Sequence, residues 1–216
     1  MIKKICVLLL VLNVSLFSDI AKLDQVKGDV LVRSKNFTKK EGAQGTPLLF
    51  GDTVKTNKGA STHIKFSDGS VILVKENSTF KIKGKKKTFI IDFDKGEFLI
   101  GIKRKSKETT YTIKTPSAVV GVRGTLFWGL SDDNLTSTYA CFTSSIEVSA
   151  NGVKKILSPG EKVVIPFGKE PGAILPAKVP LSYMDTFAIN GGIQSVKEML
   201  KTDKPSRKNR RRHRED

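Results

Sequence analysis

The sequence predicts an all-β domain of many short strands, arranged as a β-roll or sandwich or as a short β-solenoid-like stack. Three observations carry this reading. From Val26 to Ile165, short runs of β-branched and aromatic residues alternate with polar ones, and glycine punctuates them. Over the same span there is no long 3.6-residue periodicity of the kind an amphipathic helix needs. Tight-turn pairs separate the runs: Asp68-Gly69, Asn151-Gly152 and Pro159-Gly160. No repeat of fixed length is present, which counts against a regular solenoid.

The chain opens with a basic head, Met1-Ile2-Lys3-Lys4, followed by an almost entirely apolar stretch from Ile5 to Phe17. That length suits the core of a secretory signal and is short for a membrane span. Residues 1–18 therefore read as an export signal, and the location expected is periplasmic or secreted. Mass spectrometry of the native protein should find a start near Asp19; full-length chain recovered from the cytoplasm would remove the export reading. Cys6 would leave with the signal, so Cys141 remains alone and cannot form an internal disulfide. Its expected role is that of a small buried hydrophobe on a strand.

Residues 26–165 form the expected β domain. In "STHIKFSDGSVILVKE", Ile64 and Phe66 alternate with polar residues up to the turn, and Val71 and Leu73 resume after it. "SIEVSANGVKKIL" repeats the pattern with Ile146 and Val148. "TFIIDFDKGEFLIGIK" reads as two strands joined around Lys95-Gly96. Residues 166–203 change texture. Pro166, Pro171, Pro176 and Pro180 predict an extended segment outside the central sheet. Ile193, Val196, Met199 and Leu200 then fall at helical spacing, enough for one short amphipathic helix able to pack on the β domain. Residues 204–216 hold no anchoring apolar residue and read as a disordered basic tail.

Composition narrows the partners. The chain has 216 residues, 38% hydrophobic and 27% charged, with a formal net charge of +17. Such a charge attracts an anionic partner and says nothing about fold. For an exported protein that partner is an envelope protein, an anionic envelope polymer or lipid headgroups. No nucleic acid is expected, and the 7% aromatic content offers little for stacking on single strands. Three clusters carry the charge: Lys85, Lys86 and Lys87; Lys103, Arg104 and Lys105; and Arg207, Lys208, Arg210, Arg211, Arg212 and Arg214.

"GDTVKT", "FSDGSVILV" and "TPSAVVGVRGTLF", in this order, resemble the FecR domain, a β-rich extracytoplasmic module of bacteria. The resemblance spans roughly Gly28 to Ile165. Its residues here are Asp68 and Gly69, then Thr115, Pro116, Arg123, Gly124, Thr125 and Phe127, with Ala118 also in place. The family's namesake relays transporter occupancy to a sigma factor through a cytoplasmic segment ahead of a membrane span. Only Met1–Lys4 precede the apolar stretch here, so that regulatory role is not expected to carry over. The chain departs from the family pattern at Ser144-Ser145, where a glycine usually stands between the last strands.

Catalytic chemistry finds little support. His63 and His213 lie far apart, and with Cys141 they give no zinc spacing. Gly121 and Gly124 lack the lysine and helix of a phosphate-binding loop. Asp92 and Asp94 would share a strand face, where solvated carboxylates are far commoner than acid–base pairs. Neither enzyme activity nor a cofactor is expected. Arg123 admits two roles: a ligand contact through its guanidinium, or a partly buried tie between β layers. The tie is the stronger expectation, because the neighbours of Arg123 are core-like. The function expected is that of a binding or scaffolding module of the cell envelope; the alternative is a periplasmic signalling component with a separate membrane partner.

Overall fold

The computed structural model describes residues 19–35, 38–103 and 109–177. The regular structure of these residues is all strand, hydrogen-bonded into one open mixed sheet. That sheet folds over on itself into two halves, A and B. Half A runs from edge to edge through β4 (Pro47–Leu48), β1 (Ala21–Lys27), β6 (Ser61–Phe66) and β7 (Val71–Val74). It continues through the second part of β9 (Thr88–Gly101), then β12 (Leu126–Ser131), β13 (Ser137–Cys141), β16 (Glu161–Ile165) and β17 (Leu175–Pro176). Half B runs through β3 (Lys39–Glu41), β2 (Val30–Arg33), β5 (Thr53–Thr56), β8 (Ser78–Lys85) and the first part of β9. Then come β10 (Thr110–Lys114), β11 (Val119–Val122), β14 (Ile146–Ala150) and β15 (Val153–Leu157).

The strand β9 makes the fold. It is continuous where the sequence suggests two strands around Lys95-Gly96, and this corrects that reading. Its first part pairs with β8 and, in parallel, with β10; its second part pairs with β7 and β12. At the corner Gly96 has φ +123°, a conformation that only glycine adopts readily, so the chain bends between the halves without forming a hairpin.

Inner residues of both halves merge into one core, including Leu23, Ile64, Ile72 and Val163 from A and Val54, Ile82, Ile91 and Val148 from B. Phe66 of β6 meets the rings of Phe89 (5.3 Å) and Tyr111 (5.6 Å) edge-on across the halves. Phe80, Phe93, Phe98 and Phe127 form a chain of ring contacts through the corner, with centroids 4.9, 4.1 and 6.2 Å apart. Each such ring, fully buried, contributes about 1.5–3 kcal/mol of transfer free energy. Among the outward positions of half B, Lys55, Lys81, Asp92 and Lys114 alternate with core residues and face away from the core, as period-2 alternation requires. Half A differs at its centre. There Val71, Leu73, Leu99 and Leu126, with Trp128 and Phe142 against them, form a second apolar cluster separate from the core.

The tight turns fall where the sequence places them. Gly69 (φ +83°) closes β6 to β7, Asn151-Gly152 (φ +48° and +81°) closes β14 to β15, and Gly160 (φ +85°) follows Pro159 between β15 and β16. Two boundaries move. The sheet starts at Ala21, ahead of Val26, because β1 pairs along β6. The proline segment is not wholly outside the sheet: Leu175–Pro176 adds an edge to β16, a position where proline's missing N–H costs nothing. The expected signal at 1–18, the helix near 193–200 and the tail at 204–216 lie outside the described residues.

Candidate functional site

The FecR-like motif residues divide between the two ends of the folded sheet. Asp68, Gly69, Arg123, Gly124 and Thr125 lie at the end opposite the Gly96 corner, whereas Thr115 and Pro116, just past the Lys114–Asp92 pair, lie toward the corner. Asp68 anchors the β6–β7 turn by accepting the Ser70 N–H (2.8 Å), and its other oxygen accepts the Tyr111 hydroxyl of β10 (2.9 Å). One carboxylate thus holds its own turn and reaches across to half B. Burial, and then the Asp68 charge, push the Tyr111 hydroxyl well above its ordinary value, so it remains a donor.

Thr115 and Pro116 form the turn into β11, closed by Thr115 N–H on the Ala118 carbonyl (2.9 Å). The Thr115 side chain is buried and lies 2.7 Å from the Tyr139 hydroxyl of β13. Ser137 donates to Thr115 Oγ1 (2.8 Å), and Ser117 donates to Ser137 (2.6 Å). These hydroxyls tie half B to half A. Burial pushes Tyr139 up to about 12, so the network stays neutral across ordinary pH.

The tie is therefore not Arg123, and the expectation of a partly buried guanidinium is corrected. Val120 and Val122 face the core, so alternation turns Gly121 and Arg123 outward, and Arg123 is exposed. Its guanidinium makes no hydrogen bond or ion pair with another described residue. Arg123→Ala should accordingly shift stability by no more than about 0.5 kcal/mol, as for an exposed site. Urea unfolding checks this; a loss above about 2 kcal/mol would restore the buried tie. Gly124 (φ +64°) makes the bend that follows, Thr125 is buried with its hydroxyl on the Ser145 carbonyl (3.3 Å), and Phe127 lies in the core. Ser144 takes φ +56°, a left-handed conformation that glycine adopts more readily.

The sheet brings two of the basic clusters together. Lys85, Lys86 and Lys87 form the exposed β8–β9 turn. The loop leaving β9 with Lys103 returns at Thr110, whose N–H donates to the Lys87 carbonyl (2.9 Å). The Lys103 side chain lies against Gly69, and its own N–H donates to Ser70 Oγ (3.1 Å). Arg123, one position past the Val122–Tyr111 pair, stands level with Thr110 and so at the same end. Arg104 and Lys105 lie outside the described residues, as do Arg207, Lys208, Arg210, Arg211, Arg212 and Arg214.

The opposite end is acidic. An open cleft of about 460 Å³ at the Gly96 corner is lined by Glu76, Lys95, Glu97, Asp132 and Asp133, among others. Its carboxylates are engaged: Glu97 accepts from Trp128 Nε1 (2.8 Å), Glu76 from Gly59 N–H (2.5 Å) and Asp132 from Asn134 N–H (2.9 Å). Asp133 pairs with Lys95 at 2.9 Å.

The remaining chemical candidates have structural settings. Asp92 pairs with Lys83 on the outer face of half B, opposite Lys81 and Lys114, and Asp94 is exposed. Cys141 is buried, and burial pushes its thiol up to about 11, which suppresses thiolate chemistry. Burial lowers the His63 imidazole below its ordinary value against an opposing pull from Asp24. No group of three or more histidine, cysteine or acidic side chains able to hold a metal occurs among the described residues. Sequence reasoning missed Tyr111, Ser117, Ser137 and Tyr139; the only signal was that an inward tyrosine needs a partner for its hydroxyl.

Comparison with known proteins agrees with the motif. Residues 52–147 match the family described as FecR protein. Two crystal structures of a candidate anti-sigma factor from Parabacteroides distasonis ATCC 8503 are similar in fold. One gives a TM-score of 0.52 at 16% identity, covering 58% of this chain and 60% of that one. The other gives 0.51 at 17% identity, covering 63% of each. The chain thus spans less than two thirds of the solved chains it matches, and identity this low speaks for fold alone. No curated protein matches the chain.

Proposed function

We propose, from the match of residues 52–147 to the FecR family, that the protein is an exported, non-catalytic binding or scaffolding module of the cell envelope. Its folded-over sheet is a β-roll scaffold that presents cations to an anionic polymer or lipid headgroup. The observation that carries this reading is the convergence of Lys85–Lys87, Lys103 and Arg123 at one end, beside the Asp68-Gly69 turn. Exposed lysines near an anionic surface contribute about 1 kcal/mol each, and less as salt rises. The basic tail adds the same attraction through its composition.

Replacing Lys85, Lys86 and Lys87 by glutamine removes about 3 kcal/mol of that attraction, so partitioning onto anionic vesicles at low salt should fall roughly 100-fold. A chain ending at Asp203 should keep its Tm and lose most of the remaining retention. Unchanged partitioning of the triple lysine variant would move the contact away from this end.

A second reading is a component of transmembrane signalling that works with a separate membrane protein. The fold likeness to a candidate anti-sigma factor supports it. Crosslinking in intact cells separates the two: a signalling component yields one membrane protein in fixed ratio, whereas an envelope-binding module yields wall or lipid material.

A further inference from the structure

The outer face of half A is built to be covered. Val71, Leu73, Leu99 and Leu126 point away from the core, yet they are 8, 0, 3 and 2% exposed. They lie on three neighbouring strands, β7, β9 and β12, with Trp128 also on β12 and Phe142 just beyond β13. On the flanking strands the outward register is polar: buried His63 of β6 lies opposite Leu73, and exposed Lys65 of β6 and Lys22 of β1 lie beyond it. Half B packs on the opposite face, and every described strand belongs to one half or the other, so none of them lies over this cluster. A side chain reduced to zero exposure on an outer face needs a third layer.

We infer that the C-terminal segment, through Ile193, Val196, Met199 and Leu200, covers this face. The place where the described chain ends supports that occupant. Ala177 donates its N–H to the Gly160 carbonyl (2.6 Å), and Gly160 donates to the Cys141 carbonyl (2.8 Å), next to Phe142. The chain therefore leaves the sheet beside the rim of the apolar face. From β17 the centre of the face at β12 is three strand spacings away, about 14 Å, and residues 178–192 can span up to ~50 Å. The four apolar residues at helical spacing form a narrow stripe, matched to the narrow row between Val71 and Phe142. The apolar N-terminal stretch is the other segment with enough hydrophobic surface; under the export reading proposed above, on which this assignment rests, that stretch is removed from the mature chain.

Trp128, the chain's one tryptophan, sits half-buried at this face and reports on it directly. In the mature full-length protein its fluorescence should resist acrylamide. The double variant Val196→Asp/Met199→Asp should raise the quenching constant at least twofold, red-shift the emission and leave the far-ultraviolet strand signal intact. Val196→Ile/Met199→Leu should behave as the parent does. Unchanged quenching in the aspartate variant would overturn the assignment. So would protection that depends on protein concentration and tracks a monomer–dimer equilibrium, since a second copy would then be the cover.

Discussion

Gly96→Ala is expected to destabilise the protein by about 4 kcal/mol or more, lowering Tm by roughly 10 °C. Two effects add. A residue with φ +123° loses about 1–3 kcal/mol when glycine is replaced. A Cβ there would also lie 2.6 Å from Ser78 Cα and 2.3 Å from Ser78 Cβ, and the backbone atom cannot step aside. Any shift is resisted because Ser78 Oγ accepts the Glu97 N–H (3.2 Å) and donates to the Lys75 carbonyl (2.9 Å). Gly152→Ala is the matching control: its φ is +81°, with no atom within 4 Å of the added methyl, so only the conformational cost of about 1 kcal/mol remains. Urea unfolding of the two variants measures the difference. Equal losses would mean that the corner relaxes freely.

Thr115→Val should cost about 2–4 kcal/mol, although the side chain keeps its shape. The hydroxyl it removes serves both Tyr139 and Ser137, and burial denies these groups replacement by water. Tyr139→Phe should cost less, about 1 kcal/mol, because Thr115 keeps Ser137 as donor and the Ala118 carbonyl as acceptor. In the double variant the losses should fall short of their sum, since each single change already breaks the shared bond. Strict additivity in thermal or urea unfolding would show that the two hydroxyls do not act together.

Features set by neighbouring residues were legible in the sequence. Asp68-Gly69 specifies its own turn: glycine supplies the positive φ and the carboxylate caps Ser70. The same locality misleads at Lys95-Gly96, where a glycine able to turn the chain instead bends one strand between two sets of partners. Those partners, β7, β8, β10 and β12, are fixed by pairings that no short window contains. Arg123 shows a related difficulty. The run Ala118-Val119-Val120 blurs the alternation, and only the pairing of Val120 with Ile113 and Val148 reveals which side faces the core. The lysine clusters were visible as composition. Their convergence was not, because it depends on the parallel pairing of β9 with β10. The hydroxyl network of Thr115 was equally hidden, since threonine and tyrosine carry no mark of the partner they will meet.

The placement of charge at opposite ends of the β8–β9 ladder has a consequence beyond contact. Lysines at the turn and carboxylates at the Gly96 corner are separated by the length of β8, about 25 Å at normal strand rise. The domain is thus an electric dipole as well as a cation. Near a negatively charged surface, the field acts on it as a torque, turning the lysine turn inward and the corner cleft outward before anything touches. Approach is then pre-aligned within a Debye length of the surface, and collisions in the reversed pose are disfavoured.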